Sequence, residues 1–275
     1  MTQTNNLYDV VVIGGGPAGL TAGLYLARAR YRVLILEKDD FGGQITITNE
    51  VVNYPGVGRT TGRALTQTMR QQAQDFGAEF LSAEATGLDV DGDIKTVHTS
   101  RGDLKTFGIL IATGASPRKL GFEGEAEYAG RGVAYCATCD GMLYRGKRAA
   151  VIGLAADAPE EAGFLREIGC DVHYYDGKKH RFEIRGAERA DTLVVDGTAE
   201  PADVVFILRA GFAADTLLPG LATDNGHIVV DDDCAASIPG VFAAGDCTGA
   251  PYQIPAAVGE GNRAALSVVR WLRNA

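Results

Sequence analysis

Two cysteines separated by two residues are the strongest chemical feature of the sequence. They lie in the segment Cys136-Ala137-Thr138-Cys139-Asp140. Two intervening residues bring the sulfurs close enough for a reversible disulfide, provided that the turn supplies the geometry. A thiolate from this pair could attack a partner disulfide through a mixed disulfide, and the adjacent carboxylic acid could carry the proton that each half-reaction needs. We therefore predict thiol–disulfide exchange, with Cys136, Cys139 and Asp140 as the catalytic residues.

The main alternative for such a pair is half of a zinc site. A structural zinc site needs a second pair of cysteine or histidine ligands. The remaining cysteines, Cys170, Cys234 and Cys247, lie far apart along the chain. Five cysteines in a reducing compartment also do not indicate a disulfide framework. We predict no metal site, and we interpret Cys247 as a small buried hydrophobic residue.

A glycine motif with an acidic residue after it predicts a dinucleotide site. The motif is Gly14-x-Gly16-x-x-Gly19, and Glu37 follows the next strand. Gly14 permits a tight turn, Gly16 lets a pyrophosphate approach the backbone, and Gly19 lets the helix pack closely on the strand. The pyrophosphate would bind the free N–H groups at the positive end of the helix. Glu37 could accept hydrogen bonds from ribose hydroxyls.

A second acidic residue, far away in sequence, favours FAD over NAD. The strand-like run that begins at Val241 ends in the turn Gly245-Asp246. If this strand belongs to the same sheet, the carboxylate of Asp246 lies at the mouth of the nucleotide site. There it could bond the ribityl hydroxyls of a flavin, which NAD lacks.

Two βαβ units must position these residues. Tyr8–Ile13 predicts a buried strand, Pro17 suits the first position of a helix to about Ala29, and Arg32–Leu36 predicts the next strand. The same succession recurs in Arg148–Ile152, Ala158–Ile168 and Asp171–Tyr175. We therefore predict an α/β fold with two Rossmann-like dinucleotide-binding domains.

The last strand and a helix over about Ala256–Leu272 have no sheet of their own to join. We expect them to return to the first domain, beside a buried strand at Ile109–Ile111. The prediction is a discontinuous FAD-binding domain, residues 1–116 and 235–275. A smaller insert, residues 117–234, would carry the two cysteines.

Composition excludes several classes of function. The formal net charge is −9, and phosphate backbones require a concentrated positive face, so we expect no nucleic-acid partner. No run approaches the ~18 apolar residues of a membrane span, and the first residues show no secretory pattern. We expect no membrane partner and a cytoplasmic location.

The motifs together resemble those of the low-molecular-weight thioredoxin reductases, from residue 8 to residue 272. The segments that carry the resemblance are Gly14-Gly15-Gly16-Pro17-Ala18-Gly19, Gly42-Gly43-Gln44, Asn53-Tyr54-Pro55-Gly56, Ala112-Thr113-Gly114-Ala115, Cys136-Ala137-Thr138-Cys139-Asp140 and Gly240-Val241-Phe242-Ala243-Ala244-Gly245-Asp246.

The resemblance implies FAD as cofactor, a homodimer, and thioredoxin or a thioredoxin-like protein as substrate. It implies that Cys139 faces the flavin, that Cys136 attacks the partner disulfide and that Asp140 is the acid and base. From the motifs and the resemblance together, the residues expected to bind FAD are Gly14, Gly16, Pro17, Ala18, Gly19, Glu37, Gly43, Gln44, Asn53, Thr113, Gly114, Gly245, Asp246, Gln253 and Ile254.

The second domain departs from the family's NADPH-binding pattern. The family has Gly-x-Gly-x-x-Ala after the first strand of this domain, whereas this chain has Gly153-Leu154-Ala155-Ala156-Asp157-Ala158. The Cβ of Ala155 would point toward an approaching pyrophosphate. We expect Asp157 to cap the helix in a capping box with Glu160, which would place a carboxylate at the helix's own anion site.

The family's His-Arg-Arg cluster for the 2′-phosphate is also replaced, by Tyr174-Tyr175-Asp176. The chain therefore resembles the compact members that lack pyridine-nucleotide motifs, some of which take electrons from ferredoxin. Because ferredoxins are acidic, docking would need a local basic patch. The candidate patches are Arg28, Arg30 and Arg32, and Arg145, Lys147 and Arg148.

Two alternatives stay open at the level of sequence. Asp176 could read the ribose of NAD, and the cluster from Lys178 to Arg181 could hold a phosphate, although we favour a solvated turn. An ordinary NAD(P)H-dependent thioredoxin reductase is therefore the first alternative. A non-catalytic flavoprotein redox sensor is the second, and the intact cysteine motif argues against it.

Overall fold

A computed structural model describes residues 6–114, 121–209 and 217–274. The chain forms two compact units, one made of Met1–Ser116 and Phe212–Ala275, the other of Pro117–Gly211. The predicted second boundary, between residues 234 and 235, is therefore corrected to residues 211 and 212. The physical reason is that Leu217, Leu218 and Ile228 are buried in a core cluster of the first unit.

The strands, numbered along the chain, are β1 (Leu7–Ile13), β2 (Val33–Glu37), β3 (Glu79–Ser82), β4 (Ala85–Asp89), β5 (Lys95–Thr99), β6 (Leu104–Ile111), β7 (Val133–Ala134), β8 (Arg148–Gly153), β9 (Asp171–Asp176), β10 (Phe182–Gly186), β11 (Ala190–Val195), β12 (Thr198–Pro201), β13 (Val204–Leu208), β14 (Thr223–Asp224), β15 (His227–Ile228) and β16 (Val241–Ala243). The helices are α1 (Pro17–Arg28), α2 (Gly62–Asp75), α3 (Glu125–Tyr128), α4 (Ala137–Asp140), α5 (Ala158–Glu167) and α6 (Ile254–Asn274). Within the described residues, short 3₁₀ helices span Gly43–Ile47, Gly141–Tyr144 and Asp246–Thr248.

The first unit is built on a parallel sheet with the order β3-β2-β1-β6 and with β16 beside the carboxyl half of β6. The antiparallel strands β4 and β5 extend the sheet from the amino half of β6. Ile13 pairs with Leu36 and with Ile111, and Ile111 pairs with Ala243. The four parallel strands β2, β1, β6 and β16 therefore end at the same edge of the sheet. Open α/β sheets bind their ligands at this carboxyl edge.

Two helices of the first unit pack against each other on the sheet. Pro17 occupies the start of α1, as predicted. A Cβ built at Gly19 would lie 1.9 Å from the carbonyl oxygen of Gly14, so α1 approaches its strand more closely than any side chain allows. A Cβ at Gly261 of α6 would lie 2.3 Å from the carbonyl oxygen of Ala18. The last helix therefore belongs to the first unit, as expected from the sequence.

The second unit has a parallel sheet with the order β7-β13-β8-β9. One face packs on α4 and α5, and the other packs on an antiparallel meander of β10, β11 and β12. After β9 the chain turns directly into β10, without a helix between them. The predicted fold class, two Rossmann-like units of which the inserted one is reduced, is confirmed.

Candidate functional site

The segment that carries the two cysteines begins at the carboxyl edge of the second unit's parallel sheet. Ala134, the last residue of β7, pairs with Phe206 of β13, and Cys136 follows two residues later. Cys136 and Cys139 form a disulfide with a Cα–Cα distance of 5.3 Å. Cys139 lies within the short helix α4, and Cys136 is the N-cap residue of that helix. The structure therefore brings the predicted redox pair together.

Local hydrogen bonds support the Cys136 sulfur. The backbone N–H of Cys139 lies 3.2 Å from the Cys136 Sγ, and the Thr138 hydroxyl lies 3.4 Å from it. An N–H at a helix N-terminus stabilises a thiolate. In the reduced protein, both donors would favour the anionic form of Cys136.

Asp140 has the protonation behaviour that an acid and base needs. Burial raises the pKa of its carboxyl group to about 6. A group with a pKa near the working pH can both donate and accept a proton. The residue lies at the last position of α4, one position after Cys139. Its catalytic role stays a prediction, and its environment fits that role.

The glycine motif of the first unit lies at the level where four parallel strands end. Gly14 has a φ of +114°, and a Cβ there would lie 2.1 Å from the Ala112 carbonyl oxygen. Gly16 instead faces open space, and its nearest neighbour is the Cα of Gly43, 3.9 Å from a Cβ built at Gly16. Two glycine backbones thus face each other at the N-terminus of α1, where Pro17 and Ala18 begin the helix.

Glu37, at the end of β2, is bonded to the glycine turn. Its Oε2 accepts a hydrogen bond from the Gly15 N–H at 2.9 Å, and its Oε1 accepts one from the Asp39 N–H at 3.1 Å. A carboxylate has about four acceptor sites, so this anchoring leaves capacity for ribose hydroxyls. The structure places Glu37 beside the motif, as predicted.

Thr113 and Gly114 follow β6 at the same edge. The Thr113 hydroxyl is buried and has no hydrogen-bond partner among the described residues. Unpaired buried hydroxyls are costly and need an explanation. Cys247 is buried beside these residues, and its thiol donates to the carbonyl oxygens of Ala244 and Ile111. Cys247 is thus a buried core residue, as expected.

Gly245 and Asp246 follow β16, the neighbour of β6. Burial, with a smaller contribution from the nearby Glu260 carboxylate, raises the pKa of Asp246 to about 6. Glu260 in α6 accepts hydrogen bonds from the Gly245 N–H at 2.7 Å and from the Thr248 hydroxyl at 3.4 Å. Sequence reasoning missed Glu260, since nothing in the helical pattern distinguishes it from a solvated residue.

The remaining predicted cofactor residues lie in two loops and at the start of α6. Asn53 donates through its Nδ2 to the Gln253 Oε1 at 3.3 Å, across 200 residues of sequence. Ile254 begins α6. Gln44 is exposed in the 3₁₀ helix that starts at Gly43. The structure therefore joins Asn53 and Gln253, while no side-chain hydrogen bond between Gln44 and another predicted residue is seen in the described part of the chain.

The corresponding edge of the second unit is occupied by the protein's own groups. The backbone N–H groups of Leu154 and Ala155 both donate to the Leu208 carbonyl oxygen, at 2.8 and 3.0 Å. A Cβ at Gly153 would lie 2.2 Å from the Tyr174 hydroxyl. The tyrosine side chain therefore covers the first glycine of the turn.

The helix start at this edge corrects one prediction. Asp157 is the N-cap residue of α5, but its side chain makes no capping hydrogen bond within the described residues. Its backbone has φ −85° and ψ −5°, which is helical, whereas a capping residue is usually extended. The predicted capping box with Glu160 is therefore absent. The neighbouring Glu161 instead accepts a hydrogen bond from the Ala137 N–H at 3.1 Å.

The turn after β9 is paired internally. The Asp176 carboxylate accepts hydrogen bonds from the Lys178 N–H at 3.0 Å and forms an ion pair with the Lys179 ammonium at 3.0 Å. His180 and the Arg181 N–H bond to Asp196. This cluster matches the solvated turn favoured from the sequence more closely than a phosphate site.

Comparisons with known proteins agree with this arrangement. The family model "Pyridine nucleotide-disulphide oxidoreductase" matches residues 8–182 and 177–261. A thioredoxin reductase from Listeria monocytogenes is 34% identical, over 99% of this chain and 96% of that protein. The chain belongs to the thioredoxin reductase family. Within the pyridine nucleotide-disulphide oxidoreductases, it resembles the low-molecular-weight members.

Solved structures of the family include members with different names. The thioredoxin reductase from Streptococcus pyogenes superposes with a TM-score of 0.86, at 30% identity, over 99% of this reductase and 100% of that chain. A ferredoxin-flavin thioredoxin reductase from Clostridium acetobutylicum superposes with a TM-score of 0.62, at 30% identity, over 98% of both chains. The likeness therefore extends over the whole reductase.

The reductase is an FAD-binding flavoprotein, as its family is, and the first unit fits the cofactor. The facing backbones of Gly16 and Gly43 leave a cradle that side chains would fill. The buried hydroxyl of Thr113 lacks a partner that a polar cofactor could provide. Asp246 and Glu37 supply carboxylates at the same edge. The individual FAD contacts stay predictions.

A second pair with the spacing of a zinc half-site, overlooked in the sequence, has both side chains bonded elsewhere. Cys170 and His173 have the C-x-x-H spacing, but the Cys170 thiol is buried and donates to the Tyr144 carbonyl oxygen at 3.3 Å. His173 contacts Asp171 on the strand surface. Across residues 6–114, 121–209 and 217–274, no group of three or more His, Cys, Asp or Glu residues could hold a metal ion. No helix in these ranges is long and apolar enough to span a membrane.

Proposed function

We propose that this reductase transfers electrons to the disulfide of thioredoxin, or of a thioredoxin-like protein, from ferredoxin or another donor that is not NAD(P)H. The observation that carries the donor assignment is the occupied edge of the second unit. A pyrophosphate requires free backbone N–H groups at a glycine turn. Here the N–H groups of Leu154 and Ala155 donate to Leu208, and the Tyr174 side chain covers Gly153.

The residues that could select a nicotinamide dinucleotide are also engaged. Asp176, at the position for reading a ribose, is neutralised by Lys179. Of the cations that could hold a 2′-phosphate, Lys179 pairs with Asp176 and His180 bonds to Asp196 through its side chain. A nucleotide would have to displace several of these contacts at once. The ferredoxin-flavin name of one structural relative is consistent with this proposal.

The dithiol chemistry follows from the geometry of α4. The chemistry that FAD supplies when bound is the acceptance of two electrons and their delivery to a disulfide. In the resulting dithiol, the Cys136 thiolate attacks one sulfur of the partner disulfide, and the other partner sulfur leaves as a thiolate. Cys139 then attacks the Cys136 sulfur, which restores the Cys136–Cys139 disulfide and releases the second partner thiolate. The two protons of the dithiol pass to the two leaving sulfurs, with Asp140 as carrier.

An apolar face beside the redox pair suits a protein substrate. Met142 and Leu143, in the 3₁₀ helix after α4, expose 58% and 51% of their surface. Large apolar side chains exposed next to one another commonly mark a contact with a partner. We propose that this pair contacts the thioredoxin surface around its disulfide.

Anaerobic mixing separates the donors directly. Reduced ferredoxin is expected to bleach the yellow flavin absorbance of the purified reductase within the mixing experiment, while NADPH and NADH leave it unchanged for minutes. Rapid bleaching by either nucleotide would exclude the donor assignment. An NADPH-dependent thioredoxin reductase, mixed in parallel, shows that the nucleotides are active.

A matched pair of variants tests the rest of the proposal. Cys136→Ser is expected to abolish reduction of thioredoxin while flavin reduction by the donor persists. Cys170→Ser, which changes a buried thiol outside the redox pair, is expected to keep both activities. If Cys136→Ser retained thioredoxin reduction, the redox-sensor alternative would become the better explanation.

Docking of the donor, the oligomeric state and the location stay predictions. Arg32 of the first basic patch is bonded to Glu79, and Arg148 of the second contacts Glu200. Arg145 and Lys147 of the second patch remain exposed, in the segment between the 3₁₀ helix Gly141–Tyr144 and β8. Replacing either patch with serine and measuring the salt dependence of ferredoxin reactivity identifies the docking side. Light scattering tests the predicted homodimer, and fractionation tests the cytoplasmic location.

A further inference from the structure

The carboxylate of Glu161 is hydrogen-bonded to the backbone of the dithiol turn, the segment from Cys136 to Asp140. The Glu161 Oε2 accepts a hydrogen bond from the Ala137 N–H, the first residue after Cys136, at 3.1 Å. Glu161 lies in the first turn of α5 and is partly buried. Ala137 is fully buried, in one cluster with Ala158, Ala162 and Leu165 of α5. The contact is thus part of a packed interface between α4 and α5.

The short helix α4 cannot persist alone, because it has only four residues and isolated helices of that length are unstable. The N–H groups of its first turn lie on the Cys136 side, and N–H groups at a helix start stabilise a thiolate. Glu161 accepts the hydrogen bond of one of these groups, the Ala137 N–H, which is then not available to the Cys136 sulfur. The same bond places a negative charge beside the backbone of the residue that follows Cys136. Both effects oppose the stabilisation that Cys139 N–H and Thr138 provide.

Other charged groups lie in the elements that carry or pack against the redox pair. Asp140 ends α4. Asp157 and Glu160 lie at the start of α5, and both are exposed. The Tyr144 hydroxyl, in the 3₁₀ helix after α4, is influenced by Arg189 and by Asp140. Of the acidic groups at the start of α5, Glu161 is the one bonded to the α4 backbone within the described residues.

We infer that Glu161 is a positioning residue that fixes the dithiol turn on α5 and keeps Cys136 from becoming too weak a nucleophile. A thiolate that forms too easily attacks disulfides slowly, and the best attacking thiol has a pKa near the ambient pH. The charge of Glu161 sets this balance. The inference rests on the proposed role of Cys136 as the attacking thiol.

Burial raises the pKa of Glu161 above its usual value, a shift that the Ala137 hydrogen bond opposes and the charge of Asp157 reinforces. The packing that positions the Glu161 carboxylate therefore also raises its pKa. Protonation of Glu161 at acidic pH would remove its charge from the dithiol turn.

The test is the pH profile of Cys136 alkylation in the reduced holoenzyme, read by mass spectrometry of the peptide that contains Cys136. Glu161→Gln keeps an acceptor for the Ala137 N–H and removes the charge. We expect the apparent pKa of Cys136 to fall by about one pH unit. On the acidic limb of the profile, alkylation should be about threefold faster, because the weaker nucleophilicity of the thiolate offsets part of its roughly tenfold greater abundance. Glu160→Gln, the exposed neighbour in the same turn, removes an equal charge and is expected to shift the profile by less than about a quarter of a pH unit.

The outcomes separate this inference from the proposed function. If Cys136 is alkylated first and Glu161→Gln follows the wild-type profile, the role of Glu161 is refuted while the proposed exchange chemistry stands. If Cys139 is alkylated first, the assignment of Cys136 fails and the inference falls with it. Glu161→Asp keeps the charge, so its profile is expected to stay within a few tenths of a unit of wild type. A fall of about one unit in that variant would also refute the electrostatic role, even if Glu161→Gln did not fold.

Discussion

Replacing Asp140 with asparagine is expected to stabilise the reductase while impairing its reaction. Burial raises the pKa of Asp140 from 3.8 to about 6, so the folded protein resists ionisation of this group. The difference of about 2 pH units corresponds to about 3 kcal/mol of stability. Asparagine has nearly the same shape and cannot ionise, so it removes this cost together with the acid.

The sign of the effect depends on pH in a defined way. Below pH 3.8 the carboxyl group is protonated in both states and has no effect. Between pH 3.8 and about 6 the unfolded chain loses its proton and the folded protein keeps it, so stability falls as the pH rises. Above about pH 6 the loss of stability is complete, because Asp140 is then ionised in the folded protein as well. The gain from Asp140→Asn should therefore be about 3 kcal/mol at pH 8 and about 0.5 kcal/mol at pH 4.

Urea unfolding of the oxidised holoenzyme at both pH values measures the gain in the free energy of unfolding. Single-turnover reduction of thioredoxin measures the loss in reaction rate. We expect the transfer step to slow by at least about tenfold, because general acid–base catalysis contributes about 100-fold or more. Asp91→Asn is the matched control, since this residue lies in an exposed turn and should change stability by less than about 0.5 kcal/mol. A gain of equal size at pH 8 and pH 4, or no gain at all, would refute the argument from burial.

Three further predictions concern the apolar face, the buried ion pair and the cofactor site. Serine at both Met142 and Leu143 should raise the KM for thioredoxin about tenfold and leave flavin reduction unchanged in stopped-flow experiments. Arg209→Met leaves the fully buried Glu125 without its bidentate partner and should lower the free energy of unfolding by about 3 kcal/mol in urea. Thr113→Val should weaken FAD binding about fivefold in fluorescence titrations, without destabilising the apoprotein, because the hydroxyl has no partner among the described residues.

Each of these has an outcome that contradicts it. An unchanged KM in the Met142 and Leu143 variant would remove the proposed contact with thioredoxin. Wild-type stability of Arg209→Met would mean that the buried carboxylate of Glu125 is neutral or rehydrated. Unchanged FAD affinity in Thr113→Val would place the cofactor away from that hydroxyl.

The repeating elements of the fold were predictable because their signals are local. The apolar run after Asn6 and the proline at position 17 predicted β1 and α1, and the structure moves their ends by one residue. The same holds for α5, predicted to end at Ile168 and observed to end at Glu167. Continuous burial of a strand or one face of a helix leaves a pattern that adjacent residues carry by themselves.

Contacts between distant segments were not predictable from such patterns. Glu161 bonds to a residue 24 positions away, and Glu260 to one 15 positions away. Asp157 was expected to cap α5 in a capping box with Glu160, but the helical dihedral angles of Asp157 rule out that geometry. The second domain boundary was misplaced for a similar reason, since Leu217 and Leu218 carry no strand pattern that shows which core they join.

The pairing of α1 with α6 has a consequence for biosynthesis. The ribosome releases α1 long before its neighbour α6, because every other described helix and strand of the chain lies between them or before α1. The nascent chain therefore carries an unpaired apolar face of α1 until α6 has been made. The inserted unit is continuous in sequence and can complete its packing before the surrounding unit does. Stalled chains that stop before Ile254 should therefore yield a protease-resistant fragment of the insert alone. Retention of the yellow cofactor should appear only after α6 has left the exit tunnel.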